Sequence, residues 1–290
     1  MGDLHKALVE LVRRASTDLP PDVERALSRA LVQEEPGSPA ASALDSILKN
    51  VGLARSRSTP MCQDTGIPIF TISHPSQMRP YDLQQAVERA VARATELALL
   101  RPNAVDPLSG RNSGNNVGCG FPSVSFEEWE QDCLRVDLLL KGGGSENVGA
   151  QYALPYAPLS AGRDLEGVRR VVLDAVVRAQ GRGCAPGVLA VMIGGERGNG
   201  YVLARRQLQQ SLDDVNPIPE LAELEQRLFI ECNELGIGPM GFGGRATVLG
   251  VKIGTCHRLP ACYFVTIAYM CWACRRGTLI YRDSEWHILF

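Results

Sequence analysis

The sequence predicts an α/β fold: an N-terminal helical layer followed by a mixed sheet with packed helices. Three observations lead there. Apolar side chains in the first fifty residues recur at helical spacing. Alternating, β-branched sequence begins only at residue 67. Beyond residue 134, strand-like and helix-like stretches alternate, the pattern of a layered α/β protein. No repeat or low-complexity linker divides the 290 residues. They read as one domain, with a helical part over about residues 1–55.

The elements follow in order. Leu4, Leu8, Val9, Leu11 and Val12 mark an amphipathic helix over 3–16. A second helix begins after Pro20-Pro21 and runs to about residue 33. Ser38-Pro39 supplies an N-cap and a proline at the first helical position, opening a third helix to about residue 50. IPIFTIS (67–73) is a strand and 81–100 a long helix. Residues 101–120 are rich in Gly, Asn and Pro without periodicity, and a loop of that length is usually functional or disordered. LRVDLLLK (134–141) is a strand that runs into three glycines. A helix follows over 165–180. GVLAVMIGG (187–195) is a continuous apolar run, the mark of a buried strand. Helices over 197–211 and 219–234 precede GIGPMGFGG, a strand over 245–254, a strand within 262–270 and a closing hairpin.

Composition excludes several classes. The chain is 45% hydrophobic and 21% charged, with a formal net charge of −2. Its basic residues are scattered, which argues against a nucleic-acid surface or a polybasic membrane patch. The apolar run 259–274 is shorter than the roughly 20 residues of a membrane helix and reads as core. The N-terminus lacks a signal-peptide pattern, and Lys6 breaks the myristoylation pattern, so the expected location is the cytoplasm. Nine cysteines, an odd number in a chain of this size, point to metal binding or reduced thiols rather than a disulfide framework.

The candidate chemistry begins with those thiols. Cys62 precedes the polar turn Q-D-T-G, Cys184 sits in R-G-C-A-P-G, and Cys271 ends an apolar segment. Each lies where a strand or loop meets a break. Three thiolates distant in sequence can hold an iron–sulfur cluster, leaving one iron open to act as a Lewis acid. Packing alone also accounts for them. Cys271 and Cys274 form a C-x-x-C, compatible with packing, a zinc half-site or a redox pair. K-G-G-G-S-E-N follows a strand, so its backbone N–H groups can cradle an anion, although a tight turn is the more frequent explanation of three glycines. Arg101 and Arg111 are candidate carboxylate binders or solvated surface cations. His257 is an acid–base candidate or a satisfied imidazole.

Taken together, MCQDTG, RPNAVDPLSGRNSGNN, KGGGSEN, RGCAPG, VMIGG, ELGIGPMGFGG, HRLPACYF and MCWACRR stand in a recognisable order. Over residues 5–276 the chain resembles the alpha region of the iron–sulfur class I fumarase and L-tartrate dehydratase family of hydro-lyases. The resemblance implies a [4Fe–4S] cluster held by Cys62, Cys184 and Cys271, with one iron not ligated by cysteine. It implies substrate contacts from Gln63, Asp64, Arg101 and the backbone at Gly144, and catalytic roles for Asp64 and His257. The other six cysteines become bystanders. The implied reaction is reversible dehydration of a 2-hydroxydicarboxylic acid. Fumarate hydration is the first expectation and L-tartrate dehydration the alternative. A non-enzymatic metal-binding scaffold and a thiol–disulfide enzyme built on Cys271 and Cys274 are readings from other classes. The family's catalytic base belongs to a beta region that these 290 residues do not contain. The resemblance therefore implies a separate beta subunit, in an (αβ)2 assembly, without which the chain is inactive.

Overall fold

The computed structural model describes residues 2–283 and 285–290. The chain packs as two compact units, one formed by residues 1–21, 49–143 and 273–290, the other by 22–48 and 144–272. Both combine helices with a mixed sheet, so the α/β expectation holds at the level of class. The expected single mixed sheet is instead two sheets, one per unit.

In the first unit five strands lie in the order β2 (Ser123–Glu128), β1 (Ile67–His74), β3 (Leu134–Lys141), β8 (Arg276–Arg282), β9 (Glu285–Leu289). β1 and β2 are parallel and the other pairs antiparallel. β1 alternates buried and half-buried residues, as its sequence requires: Phe70 and Ile72 point into the core. α1 (Gly2–Thr17) lays Leu4, Leu8, Leu11 and Val12 on the same core, against α4 (Pro80–Glu96) and β8. Each such leucine contributes roughly 1.5–3 kcal/mol relative to exposure. The closing hairpin is present as β8 and β9; Ser284 between them lies outside the described residues.

In the second unit the order is β4 (Ala150–Ala153), β7 (Phe264–Met270), β5 (Gly187–Gly194), β6 (Val248–Cys256). β5 is buried at every residue and pairs parallel with β6 and antiparallel with β7. A parallel pair needs a long crossover. Here it carries α7 (Arg197–Gln207) and α8 (Pro219–Glu234), and both pack on the sheet, as does α6 (Leu165–Ala179). α6 is capped by Asp164, whose Oδ1 accepts from Gly167 N at 2.6 Å.

The N-terminal helices are divided between the two units. α1 belongs to the first unit, α2 (Pro21–Gln33) to the second, and α3 (Pro39–Arg57) passes from the second into the first. Ser38 caps α3 as expected, its Oγ accepting from Ala41 N at 3.1 Å. The apolar run 259–274 is not core throughout: Leu259 is 70% exposed, and strand begins only at Phe264. Among the described residues no helix is long and apolar enough to cross a membrane.

Candidate active site

One end of the second unit's sheet gathers four of the motifs. Cys184 follows a 3-10 turn over Gln180–Gly183 in a left-handed conformation (φ 56°), three residues before β5. β7 runs antiparallel to β5, with Met270 opposite Val188. Cys271 therefore leaves the sheet at the end where Cys184 enters it, and Trp272 N donates to Cys184 O at 3.2 Å. The glycines of R-G-C-A-P-G have a specific cause. A Cβ on Gly183 would lie 2.5 Å from the Tyr269 ring, and one on Gly187 2.2 Å from it. Burial pushes the Tyr269 hydroxyl far above its usual range, and charge at Cys271 and Cys184 adds to the effect. The glycine loop reaches the same end. A Cβ on Gly144 would lie 3.4 Å from Arg182 O, and Ser145 Oγ lies 4.0 Å from Met270 Sδ. The second glycine-rich loop closes the group, with Met240 N donating to Ala185 O at 2.9 Å.

The first unit gathers the others. Cys62, Gln63, Thr65 and Arg101 line a cleft of about 460 Å³ with Pro60 and Pro102. Thr65 is buried and fixes the cleft's two walls: its Oγ1 accepts from Arg101 N at 2.9 Å and Asn103 Nδ2 at 3.2 Å. Asn116, also buried, braces the polar loop. Its Oδ1 accepts from Asn103 N at 2.7 Å, and its Nδ2 donates to Arg101 O at 2.8 Å. Asp64 faces its own chain. Its Oδ1 accepts from Gly66 N at 2.9 Å and its Oδ2 from Gly143 N at 2.7 Å. Sequence reasoning gave Thr65 and Asn116 no role. The signal was faint: a threonine inside Q-D-T-G, and an asparagine among turn residues that adopts φ 59°.

The structure does not bring His257 to Cys184, Cys271 and Gly144. His257 directly follows β6, and the β5–β6 register sets Gly194 opposite Cys256. His257 thus sits at the far end of the sheet, roughly 23 Å of strand from Gly187. There it lines a separate cleft of about 510 Å³ with Cys256, Arg258 and Tyr263. Arg111 lines a third cleft with Asp106 and Cys119, apart from the one holding Arg101.

A family model described as "Fumarate hydratase (Fumerase)" matches residues 5–280. The chain belongs to this fumarate hydratase family. Among its relatives, a Geobacillus stearothermophilus protein named "Putative fumarate hydratase class I" is 47% identical over 279 residues, covering 95% of this chain and 54% of that protein. This chain thus spans about half the length of that relative. The Escherichia coli (strain K12) protein named L(+)-tartrate dehydratase subunit alpha is 32% identical over 282 residues, covering 97% of this chain and 91% of that protein.

Within this fumarate hydratase family member the nine cysteines sort by access, and none is in a disulfide. Cys133, Cys232 and Cys274 are buried, and burial pushes the Cys232 thiol up to about 12. Such thiols do not serve as ligands or nucleophiles. Cys62 and Cys271 are half-buried and Cys184 exposed. Soft thiolates of this kind suit iron–sulfur chemistry, and two of the three stand at one end of one sheet. Among the described residues no three His, Cys, Asp or Glu side chains already form a metal-sized group. The C-x-x-C offers no redox pair, because Cys274 is fully buried and thiol–disulfide exchange needs access.

Proposed function

We propose that this chain is the alpha part of a hydro-lyase that reversibly removes water from a 2-hydroxydicarboxylic acid, with malate and fumarate as the first pair. The single observation that carries the reading is the gathering of the Cys184, Cys271 and Gly144 motifs at one end of the second unit's sheet. Nothing in the packing of a scaffold requires a cysteine-bearing turn, a cysteine-bearing strand end and a glycine loop to meet there. The 47% identity to a protein named as a class I fumarate hydratase supports the substrate choice. The match to a protein named L(+)-tartrate dehydratase subunit alpha, over 91% of its length, supports the second reading, L-tartrate. In that relative a chain matching this one is a subunit, which supports a separate beta partner and an (αβ)2 assembly.

In this reading Cys62, Cys184 and Cys271 hold a [4Fe–4S] cluster. When bound, the cluster supplies a Lewis acid at its cysteine-free iron, which makes hydroxide a better leaving group. The chain's own residues bind and orient. Arg101 grips the remote carboxylate, two parallel N–H bonds fixing its plane. The Gln63 amide, beside Arg101 in the same cleft, both donates and accepts, so it suits a hydroxyl or a second carboxylate oxygen. The Gly144 N–H supplies a backbone donor. Holding both ends of the substrate keeps the departing groups aligned. His257, at the far end of its sheet, takes no part in these contacts, and proton removal from carbon falls to the beta chain.

The test is anaerobic purification with the beta partner, iron and sulfide analysis, and turnover of fumarate and L-tartrate. About four iron and four sulfide per alpha chain are expected, with both falling in Cys62→Ser. A chain that stays iron-free after anaerobic reconstitution overturns the reading. A larger kcat/KM for L-tartrate than for malate or fumarate selects the second substrate.

A further inference from the structure

We propose that Asp64 and Arg275 are positioning residues: together they form a clasp that presets the Cys62–Gln63 turn. The proposal rests on the reading above for what the turn does, but the clasp is argued from the first unit alone. Three bonds converge on one residue. The two oxygens of the Asp64 carboxylate accept from Gly66 N and Gly143 N, at 2.9 and 2.7 Å. The Asp64 carbonyl accepts from Arg275 Nη1 at 2.8 Å. Side chain and peptide plane are therefore both fixed, one and two residues from Gln63 and Cys62. Thr65, next along, holds Arg101 N. The turn is pinned on one side to the glycine loop and on the other to the arginine-bearing wall of the cleft.

Arg275 is not ordinary packing. It is 1% exposed, and its Nε is buried without a hydrogen-bond partner. A buried guanidinium is costly to desolvate, so its Nη1 hydrogen bond to a carbonyl of the turn points to a purpose there. Its own carbonyl accepts from Leu140 N at 2.9 Å, which anchors it to the end of β3. The glycines agree. A Cβ on Gly142 would sit 2.9 Å from Asp64 Oδ2 and 3.7 Å from Arg275 Nη2. Gly66 (φ 83°) passes so close to Lys141 and Leu140 that a Cβ there would lie 2.8 to 2.9 Å from their backbone atoms. The first glycine of K-G-G-G-S-E-N thus makes room for the clasp. The Asp64 carboxylate takes its orientation from the backbone, and its role is to aim Cys62 and Gln63 rather than to exchange a proton with substrate.

The full chain tests this with four variants. Asp64→Asn keeps the shape but offers one acceptor oxygen to two N–H donors, so one clasp bond must go. Gly142→Ala displaces the carboxylate while leaving its chemistry intact. Arg275→Met removes the carbonyl contact, and Arg275→Lys retains a donor. Two readouts use the iron-free chain: hydrogen exchange at the Gly66 and Gly143 amides, and the rate at which iodoacetamide labels Cys62. A third uses the alpha–beta enzyme: kcat, KM and the pH–rate profile. Roughly tenfold faster exchange is expected in Asp64→Asn and Gly142→Ala, with a changed Cys62 labelling rate. Both variants should lose turnover while keeping both limbs of the pH profile. Arg275→Lys should recover most of what Arg275→Met loses. Unchanged exchange in Asp64→Asn overturns the clasp. So does loss of one pH limb in Asp64→Asn beside normal turnover in Gly142→Ala, since the carboxylate then acts as a proton carrier. Equal losses in Arg275→Lys and Arg275→Met overturn the arginine's share. If wild-type chain takes up no iron while the amides still respond, the cluster reading falls and the clasp stands.

Discussion

Access and burial separate the thiols, and each consequence is measurable. Iodoacetamide at pH 8 should label Cys62, Cys184 and Cys119 in the iron-free chain and spare Cys133, Cys232 and Cys274; labelling of the buried three at equal rates would contradict the packing. Cys232 also predicts an alkaline weakness. Its folded pKa, pushed up to about 12 by burial, exceeds the unfolded value of roughly 8.5. Between those values the unfolded chain gives up a proton that the folded chain keeps. Stability is therefore full below about pH 8.5 and falls as pH rises, by up to ~1.4 kcal/mol per unit. Urea titrations of wild type and Cys232→Ala between pH 8 and 11 should show a flatter decline in the variant. Arg101→Ala should raise the dicarboxylate KM roughly tenfold to a hundredfold at unchanged iron content, because the lost contact is charge-assisted. A fall in kcat alone would remove Arg101 from substrate binding.

At the scale of elements, β6 is an edge strand that is closed by side chains. Glu225, 8% exposed on α8, accepts from Ile253 N at 2.6 Å, and Asn216 donates to Ile253 O at 2.8 Å. These bonds occupy the N–H and C=O of Ile253, two edge groups that would otherwise be open to pairing with another chain. Glu225→Ala should cost about 1–3 kcal/mol in urea unfolding and increase aggregation, while Glu225→Gln, which keeps an acceptor, should stay near wild type. Elements of this kind were unevenly legible. β3 and β5 and helices α6 and α8 could be read within a residue or two, because periodicity or a continuous apolar run is local information. β2 and β4 were missed. β2, S-V-S-F-E-E, is half-buried at most and owes its existence to pairing with β1, and β4 is four residues long. α4 stops at Glu96 and α7 at Gln207, short of expectation, because their ends are set by packing that no local pattern encodes. At the candidate site the cysteine-bearing turns could be picked out from their polar surroundings. Thr65, Asn116 and Arg275 could not, since a hydrogen bond across tens of residues leaves no trace in spacing.

At the scale of the molecule, the alpha chain alone should bind iron and show no turnover, and adding a beta partner should restore it; full turnover by the alpha chain alone would remove the partner from the proposal. The two units are also interleaved along the chain. The second unit ends at residue 272, while the first is completed only by residues 273–290, which supply β8, the antiparallel neighbour of β3. This sets an order for synthesis. On the ribosome the second unit has every residue it needs before the last strands of the first have been translated, so the first sheet waits with one flank of β3 open. A released fragment ending at residue 272 should resist protease across 165–256 and be cut between 67 and 141. Residues 273–290 thus decide whether the half that carries Cys62, Gln63 and Arg101 ever closes.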